Sequence, residues 1–280
     1  NMDAMLQQAQ RENYREFYEQ VARRYPEEEL VYASLRGRVR RRFILSHLRS
    51  FRGRLLDLGC NRGMYTATYQ NGKAFGVDIA LPALVAARER HPGGRYIQGD
   101  AQDLSFFRSQ SFDAILCSEL IEHVPDAQRV INECFRLLRK GGRLLLTTPN
   151  YKGTRPTWVN IGAMQAFGVT GVRGQFYFHT AFRPEELAEM AGRAGFQQVD
   201  CGTFEKEVKY ATRLPVALFH LVRVLNRATF NSAQVNRVNG HLLERGALVV
   251  YLICRGLGLD GLFTRLVREG VRSYLLASKL

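Results

Sequence analysis

The stretch Leu55-Leu56-Asp57-Leu58-Gly59-Cys60-Asn61-Arg62-Gly63 constrains the fold more than any other. It reads as a short buried strand that ends on an acidic residue, enters a turn with glycines at 59 and 63, and opens a helix from about Met64. Neither glycine carries a Cβ, so the backbone there can come close to a ligand. In α/β folds, ligands bind at such strand-to-helix turns, at the carboxyl ends of the strands. On its own the turn is also compatible with an ordinary βα connection, so the decision lies downstream.

Downstream, the pattern alternates. Strands are expected at 54–58, 74–78, 95–98, 112–117, 143–148 and 197–204, with a last one over 271–279. Helices fill the gaps at about 64–70, 81–90, 126–139 and 184–194. Such alternation argues for a parallel sheet with helices on both faces. Pro82 suits a first helical turn. Gly141-Gly142 is expected to end the helix that carries Leu137 and Leu138. Pro184 followed by Glu185 and Glu186 opens another helix, with acidic residues at its positive end. The predicted fold is α/β and Rossmann-like: a mostly parallel seven-stranded sheet, with a helical segment inserted before the last strand.

The expected organisation is an N-terminal helical cap over 1–49, a core over 50–212 and 269–280, and a helical insertion over 213–268. In the cap, Tyr14, Phe17, Tyr18, Val21 and Tyr25 recur at helical spacing. A second helix over 33–49 carries Arg36, Arg38, Arg40, Arg41 and Arg42, either as a solvated face or as an anion-binding patch. Residues 150–178 read as a long loop with a short helix near 158–167. The insertion alternates apolar helical stretches with arginines.

The formal net charge of +14 favours an anionic partner: nucleic acid, anionic lipid or a phosphorylated substrate. The five cysteines are widely spaced with no CxxC pair, so neither a disulfide framework nor a zinc site is indicated. A reducing, cytoplasmic setting fits best. Asn1 before Met2 reads as a cloning remnant, no signal peptide follows it, and no run of about 18 uncharged apolar residues is present to span a bilayer.

The strand ends carry the chemistry. Asp57 ends the first strand, Asp78 the second in FGVD, Gly99-Asp100-Ala101 follows the third, and Cys117-Ser118-Glu119 ends the fourth. All four lie on one edge of a parallel sheet. An acidic residue at the second strand's end can accept hydrogen bonds from ribose hydroxyls, and an Asp after the third can accept from an adenine amino group. Together they form a nucleoside-binding constellation.

At this point the chain resembles the class I S-adenosylmethionine-dependent methyltransferases. The segments LLDLGCNRG, FGVDIA, GDAQDLSF, FDAILCSELIEHVPD, LLRKGGRLLLTTPN and HTAFRPEELAEMAGRAGF follow the family's order over about residues 53–200. The nearest branch contains quinone-biosynthesis and other small-molecule O-methyltransferases. The resemblance implies S-adenosylmethionine as cofactor. It places Gly59, Cys60, Asn61 and Gly63 at the methionine half, Asp57 near the amino group, Asp78 and Ile79 at the ribose, Asp100 and Ala101 at the adenine, and Ser118 beside the sulfonium. The family usually has Gly where this chain has Asn61. Asn tolerates positive φ better than most residues, so a left-handed or turn conformation is expected there. A dinucleotide-dependent oxidoreductase is the competing reading of the turn, but no clean GxGxxG is present.

Glu119, Glu122 and His123 lie within five residues, and His179 follows later. Small-RNA 2′-O-methyltransferases resemble this arrangement, with Mg²⁺ held by two Glu and two His. The resemblance implies Mg²⁺ at Glu119, Glu122, His123 and His179, or else general-base work by His123 or His179, with Glu122 in the catalytic set. The expected activity is in-line methyl transfer to a small, apolar or lipid-like acceptor. The alternatives are an RNA methyltransferase and a non-catalytic cofactor-binding or membrane-associated protein. The Arg-flanked helices of 213–268 suit a peripheral membrane contact, a lid or a homodimer interface.

Overall fold

The computed structural model describes residues 14–26, 31–229 and 232–280. In chain order its elements are α1 (14–24), α2 (Leu35–Leu48), β1 (Gly53–Leu58), α3 (Met64–Thr68), β2 (Gly72–Asp78), α4 (Leu81–Arg90) and β3 (Arg95–Gln98). β4 (Phe112–Ser118), α5 (Ala127–Leu137), β5 (Leu138–Pro149), β6 (Trp158–Asn160) and β7 (Phe176–Phe178) follow. The last are α6 (Pro184–Ala194), β8 (Gln198–Phe204), α7 (Lys206–Ala228), α8 (Ala233–Gly256), α9 (Asp260–Leu266) and β9 (Arg272–Ser278).

Leu55, Leu56 and Leu58 are fully buried in β1. A strand covered on both faces reads as an apolar run rather than an alternation. β1 pairs in parallel with β2 and β4. The seven-stranded sheet has the order β3-β2-β1-β4-β5-β9-β8, and β9 runs antiparallel to β5. This is the expected Rossmann-like architecture, with the helical segment inserted before the last strand.

Two compact units divide the chain. The first comprises Asn1–Pro26, Leu45–Gly202 and Arg272–Leu280; the second comprises Glu27–Ile44 and Thr203–Val271. The division falls at 203 and 271 rather than at 213 and 268, and α2 crosses it. The first unit's core joins Leu56, Leu58, Ile115, Val130, Ile131, Leu144 and Leu146. The second unit has its own core of Leu35, Val39, Val208, Ala211, Ala247, Tyr251 and Val267. A buried ion pair, Arg40 Nε to Glu205 Oε1 at 3.0 Å, and the stacked rings of Phe43 and Phe204 at 4.1 Å also hold it together.

Helix boundaries have local causes. Asp126 Oδ1 accepts from the Arg129 N–H at 3.0 Å to open α5, and Glu186 Oε2 accepts from the Arg183 N–H at 2.8 Å to open α6. Two local expectations need correction. Gly141-Gly142 does not end a helix: α5 stops at Leu137, and both glycines lie within β5. There Gly141 takes φ 77° and its N–H donates to the Lys279 carbonyl at 2.6 Å. The long loop is not simply a loop with a helix at 158–167. β6 and β7 pair antiparallel through Trp158↔Phe178, with a 3₁₀ turn at Gly162–Phe167 between them. The expected helix over 2–49 falls partly on 2–13 and 27–30, outside the described residues.

Candidate active site

Parallel register brings the acidic strand ends to one edge of the first unit. Leu58 aligns with Val77 and with Cys117, and Asp78 aligns with Gln98, two residues before Asp100. The turn after β1 is left-handed at three positions: Gly59 (φ 71°), Asn61 (φ 49°) and Gly63 (φ 80°). Asn61 thus adopts the expected conformation. The Gly59 and Cys60 N–H groups both donate to the Val77 carbonyl, at 2.8 and 3.0 Å. The Asp78 carboxylate accepts from the Asn61 N–H and from the Ala80 N–H, each at 2.9 Å, and so ties the turn after β1 to its own. A Cβ on Gly63 would lie 2.4 Å from the Tyr96 hydroxyl, so this position needs glycine for space as well as for φ.

The neighbouring residues are fixed with comparable economy. The Ile79 carbonyl accepts from Gln98 Nε2 at 3.1 Å. Asp100 Oδ1 accepts from the Gln102 N–H at 2.9 Å, and Ala101 is buried in the core. Ser118 Oγ meets Thr147 Oγ1 at 3.0 Å. Cys60 is buried, which pushes its thiol up, and the charges of Asp57 and Asp78 add to that.

The edge is electrically negative. Asp57 is 2% exposed and accepts from Thr66 Oγ1 at 2.7 Å. Burial pushes its carboxyl up to about 7, with a smaller contribution from the Asp78 charge. Burial also raises Asp78, against hydrogen bonds from backbone N–H groups. The Tyr14 hydroxyl on α1 is pushed well above its ordinary value, first by burial and then by Asp100, Asp78 and Glu122. Acids held in this way favour a cationic ligand, because an ammonium or sulfonium nearby restores their charged form. A cofactor with both cations and an adenosine therefore fits these residues.

The four candidate metal ligands lie near one another, but both carboxylates have protein partners. Glu119 turns to Arg272, with Oε2 2.8 Å from Nε, and its other oxygen accepts from Thr147 Oγ1 at 3.2 Å. Glu122, 1% exposed, points into the core and accepts from Thr148 Oγ1 at 3.1 Å. Burial and the Glu119 charge raise its carboxyl above the usual range. Among the described residues, no group of three or more His, Cys, Asp or Glu side chains is arranged to hold a metal ion. In this structure Glu119 of the expected Mg²⁺ set is engaged by Arg272 and Glu122 by Thr148.

His123 and His179 instead form a stacked pair, with ring centroids 4.8 Å apart. Tyr18 meets His123 edge-on at 5.4 Å. Burial holds His123 well below its ordinary value, helped by His179 and Arg272; burial and Arg272 likewise lower His179. Both imidazoles are therefore neutral near pH 7. Each Nδ1 is buried without a hydrogen-bond partner.

Tyr18 also lines a cavity of about 390 Å³, with Tyr14, Phe17, Trp158, Arg173 and Phe178. The Arg173 guanidinium lies 4.1 Å over the Trp158 ring. The helical spacing of Tyr14, Phe17 and Tyr18 was legible, but not that it faces this site. Thr66, Thr148, Arg173 and Arg272 were missed. A signal exists for Thr66, which stands one turn into the helix after Gly63; Arg272 meets Glu119 only through the sheet.

Comparison with known proteins agrees with the geometry. A family described as a methyltransferase domain matches residues 56–146. A ubiquinone biosynthesis O-methyltransferase of Xanthomonas axonopodis pv. citri is 30% identical over 169 residues, covering 58% of this chain and 70% of the relative. The chain belongs to the class I S-adenosylmethionine-dependent methyltransferases. A protein of the same description from Coxiella burnetii is 31% identical over 152 residues, 52% of this chain and 64% of the relative. Phosphoethanolamine N-methyltransferase 2 of Haemonchus contortus, solved with S-adenosyl-L-methionine, has a TM-score of 0.53 at 20% identity, covering 89% of this methyltransferase and 54% of that chain. The PH0226 protein of Pyrococcus horikoshii gives 0.51 at 19%, covering 64% and 91%. At these identities the solved structures show the shared fold. The methyltransferase uses S-adenosylmethionine as its cofactor. The oxidoreductase, RNA and non-catalytic alternatives draw no support from these relatives.

Proposed function

We propose that the methyltransferase methylates a hydroxyl oxygen on a small, apolar, aromatic-bearing acceptor seated in the cavity beside His123 and His179. The observation that carries this reading is the stacked histidine pair, which meets Tyr18 of the lining of an aromatic cavity of about 390 Å³. When bound, S-adenosylmethionine supplies an activated methyl group on its sulfonium. The chain's own work is to hold the cofactor's charged ends, orient the acceptor and remove its proton.

In this reading Asp57 faces the cofactor's ammonium, and Gly59, Cys60, Asn61 and Gly63 frame its amino-acid half. Asp78 and Ile79 face the ribose, Asp100 and Ala101 the adenine, and Ser118 the sulfonium. His123 or His179, each a neutral imidazole near pH 7, accepts the hydroxyl proton on a ring nitrogen. Glu122 is a positioning residue, its Oε1 3.9 Å from His123 Nε2. The relatives described as ubiquinone biosynthesis O-methyltransferases support an oxygen acceptor on an apolar molecule. An apolar acceptor also favours a cytoplasmic enzyme working at a membrane surface.

The test is transfer of labelled methyl from the cofactor to alkyl-substituted catechols, with total RNA as the competing acceptor. Label is expected in the catechol ether. His123→Ala is expected to lower kcat by about a hundredfold while calorimetric cofactor affinity is unchanged. Protein that binds the cofactor but methylates RNA, or no hydroxyl acceptor at all, would overturn the reading.

A further inference from the structure

The second unit leaves a large apolar surface uncovered. On α7, Leu218, Leu221 and Leu225 follow helical spacing and are 52%, 54% and 55% exposed. On α8, Val249, Leu252 and Ile253 are exposed on the side away from the buried Ala247 and Tyr251. Leu257 precedes α9, and Leu262 and Leu266 stand one turn apart on it; all three are exposed. Scattered exposed leucines need no explanation, but runs on successive helices do.

The charge around these residues is one-sided. Residues 203–271 carry ten Lys and Arg against five Asp and Glu. Three of those acids are used internally. Glu205 pairs with Arg40, Glu207 with Arg42, and Asp260 accepts from the Tyr210 hydroxyl. Meanwhile Arg213, Arg223, Arg227, Arg245, Arg265 and Arg268 are all exposed. On α7, Arg223 and Arg227 stand opposite the leucine stripe, whereas Arg245 lies on the exposed side of α8 with Val249 and Leu252, and Arg265 lies beside Leu262 and Leu266 on α9.

We propose that α7, α8 and α9 dock this unit on an anionic lipid surface, the leucines and valines entering the interface and the arginines meeting lipid phosphates. The arrangement matches an interfacial helix, with an apolar face flanked by cations. Among the described residues no single helix is long and apolar enough to cross a membrane, and the one helix pair that passes by length and composition, Arg245–Gly256 with Asp260–Leu266, is bent by 116°. A second copy of the chain would bring like charges together along these helices, whereas anionic lipid neutralises them. The inference does not depend on the acceptor.

The full chain is sedimented with vesicles of phosphatidylcholine alone and of phosphatidylcholine mixed with phosphatidylglycerol, while light scattering reports its size. The wild type is expected to bind the mixed vesicles and to lose affinity as salt rises. Arg245→Ala with Arg265→Ala should weaken partitioning by about thirtyfold, and Leu221→Glu with Leu225→Glu should abolish it. Cofactor titration, which reads the first unit, and circular dichroism serve as folding controls; if the glutamate variant misfolds, the alanine pair carries the test. Equal partitioning to both vesicle types, no partitioning at all, or unchanged binding by the arginine variant would overturn the inference. So would a dimer that the glutamates dissociate in a protein without vesicle affinity, which would assign the surface to a second copy.

Discussion

Asn61 stands where the family usually has glycine, and it holds φ at 49° while its N–H reaches Asp78. A left-handed residue with a Cβ costs roughly 1–2 kcal/mol, less for Asn than for β-branched residues. Asn61→Gly is therefore expected to leave the urea midpoint nearly unchanged. Asn61→Val should lower stability by about 1–2 kcal/mol and weaken cofactor binding, because the bond that orients Asp78 shifts with the turn. A valine variant as stable as the wild type would show that the turn relaxes. Asp57 makes a separate prediction. Its carboxyl rises from 3.8 to about 7 on folding, so the folded cofactor-free chain holds a proton that the unfolded chain gives up. That contribution is fully present below the unfolded value, falls as pH rises, and is gone above about 7. Asp57→Asn keeps an acceptor for Thr66 and cannot ionise. In the absence of cofactor its stability should exceed that of the wild type by a margin that grows from pH 4 to 7 and then levels, reaching a few kcal/mol. Urea titrations at pH 5 and pH 8 read this directly; an equal margin at both would show that Asp57 ionises normally.

At the scale of elements, what was legible depended on how local the cause is. β1 to β4 could be read because buried leucines, valines and terminal acids recur at strand spacing. Pro184 and Glu186 fix the start of α6 by neighbours within three residues. Gly141 misled because a glycine pair after a helix has the same composition as an irregular strand; its partner, the Lys279 carbonyl, is a property of the assembled sheet. The β6–β7 hairpin was hidden for a similar reason, since its pairing joins Trp158 to Phe178 across a glycine-rich span. The metal expectation meets the same kind of long-range cause. Glu119, Glu122 and His123 are close in sequence, but the 3₁₀ turn Ile121–His123 sends Glu122 inward to Thr148 while Glu119 turns to Arg272. Methyl transfer is accordingly expected to survive treatment with EDTA, and added Mg²⁺ to leave the rate unchanged. A loss that Mg²⁺ restores would mean these side chains rearrange when substrate binds.

Each of the two units has a principal apolar core of its own, one built on the seven-stranded sheet and one among the inserted helices. Every proposed cofactor residue, from Asp57 to Ser118, lies in the first unit, so ligand binding should stabilise that unit selectively. At a hundredfold excess over Kd the gain is about 2.7 kcal/mol. The chain contains one tryptophan, Trp158, and it lies in the first unit. Among the described residues the two longest helices, α7 and α8, lie in the second, so helical circular dichroism weights that unit. On heating with saturating S-adenosylmethionine, the tryptophan transition is expected to move up by several degrees. Part of the helical signal should stay at its cofactor-free midpoint. Arg40→Met, which leaves Glu205 buried without this ion pair, should lower the helical component and leave the tryptophan midpoint in place. If both probes instead moved together, with cofactor and with the variant, the two cores would be a single cooperative unit, and lipid bound at α7–α9 would then have to stabilise the cofactor site as well.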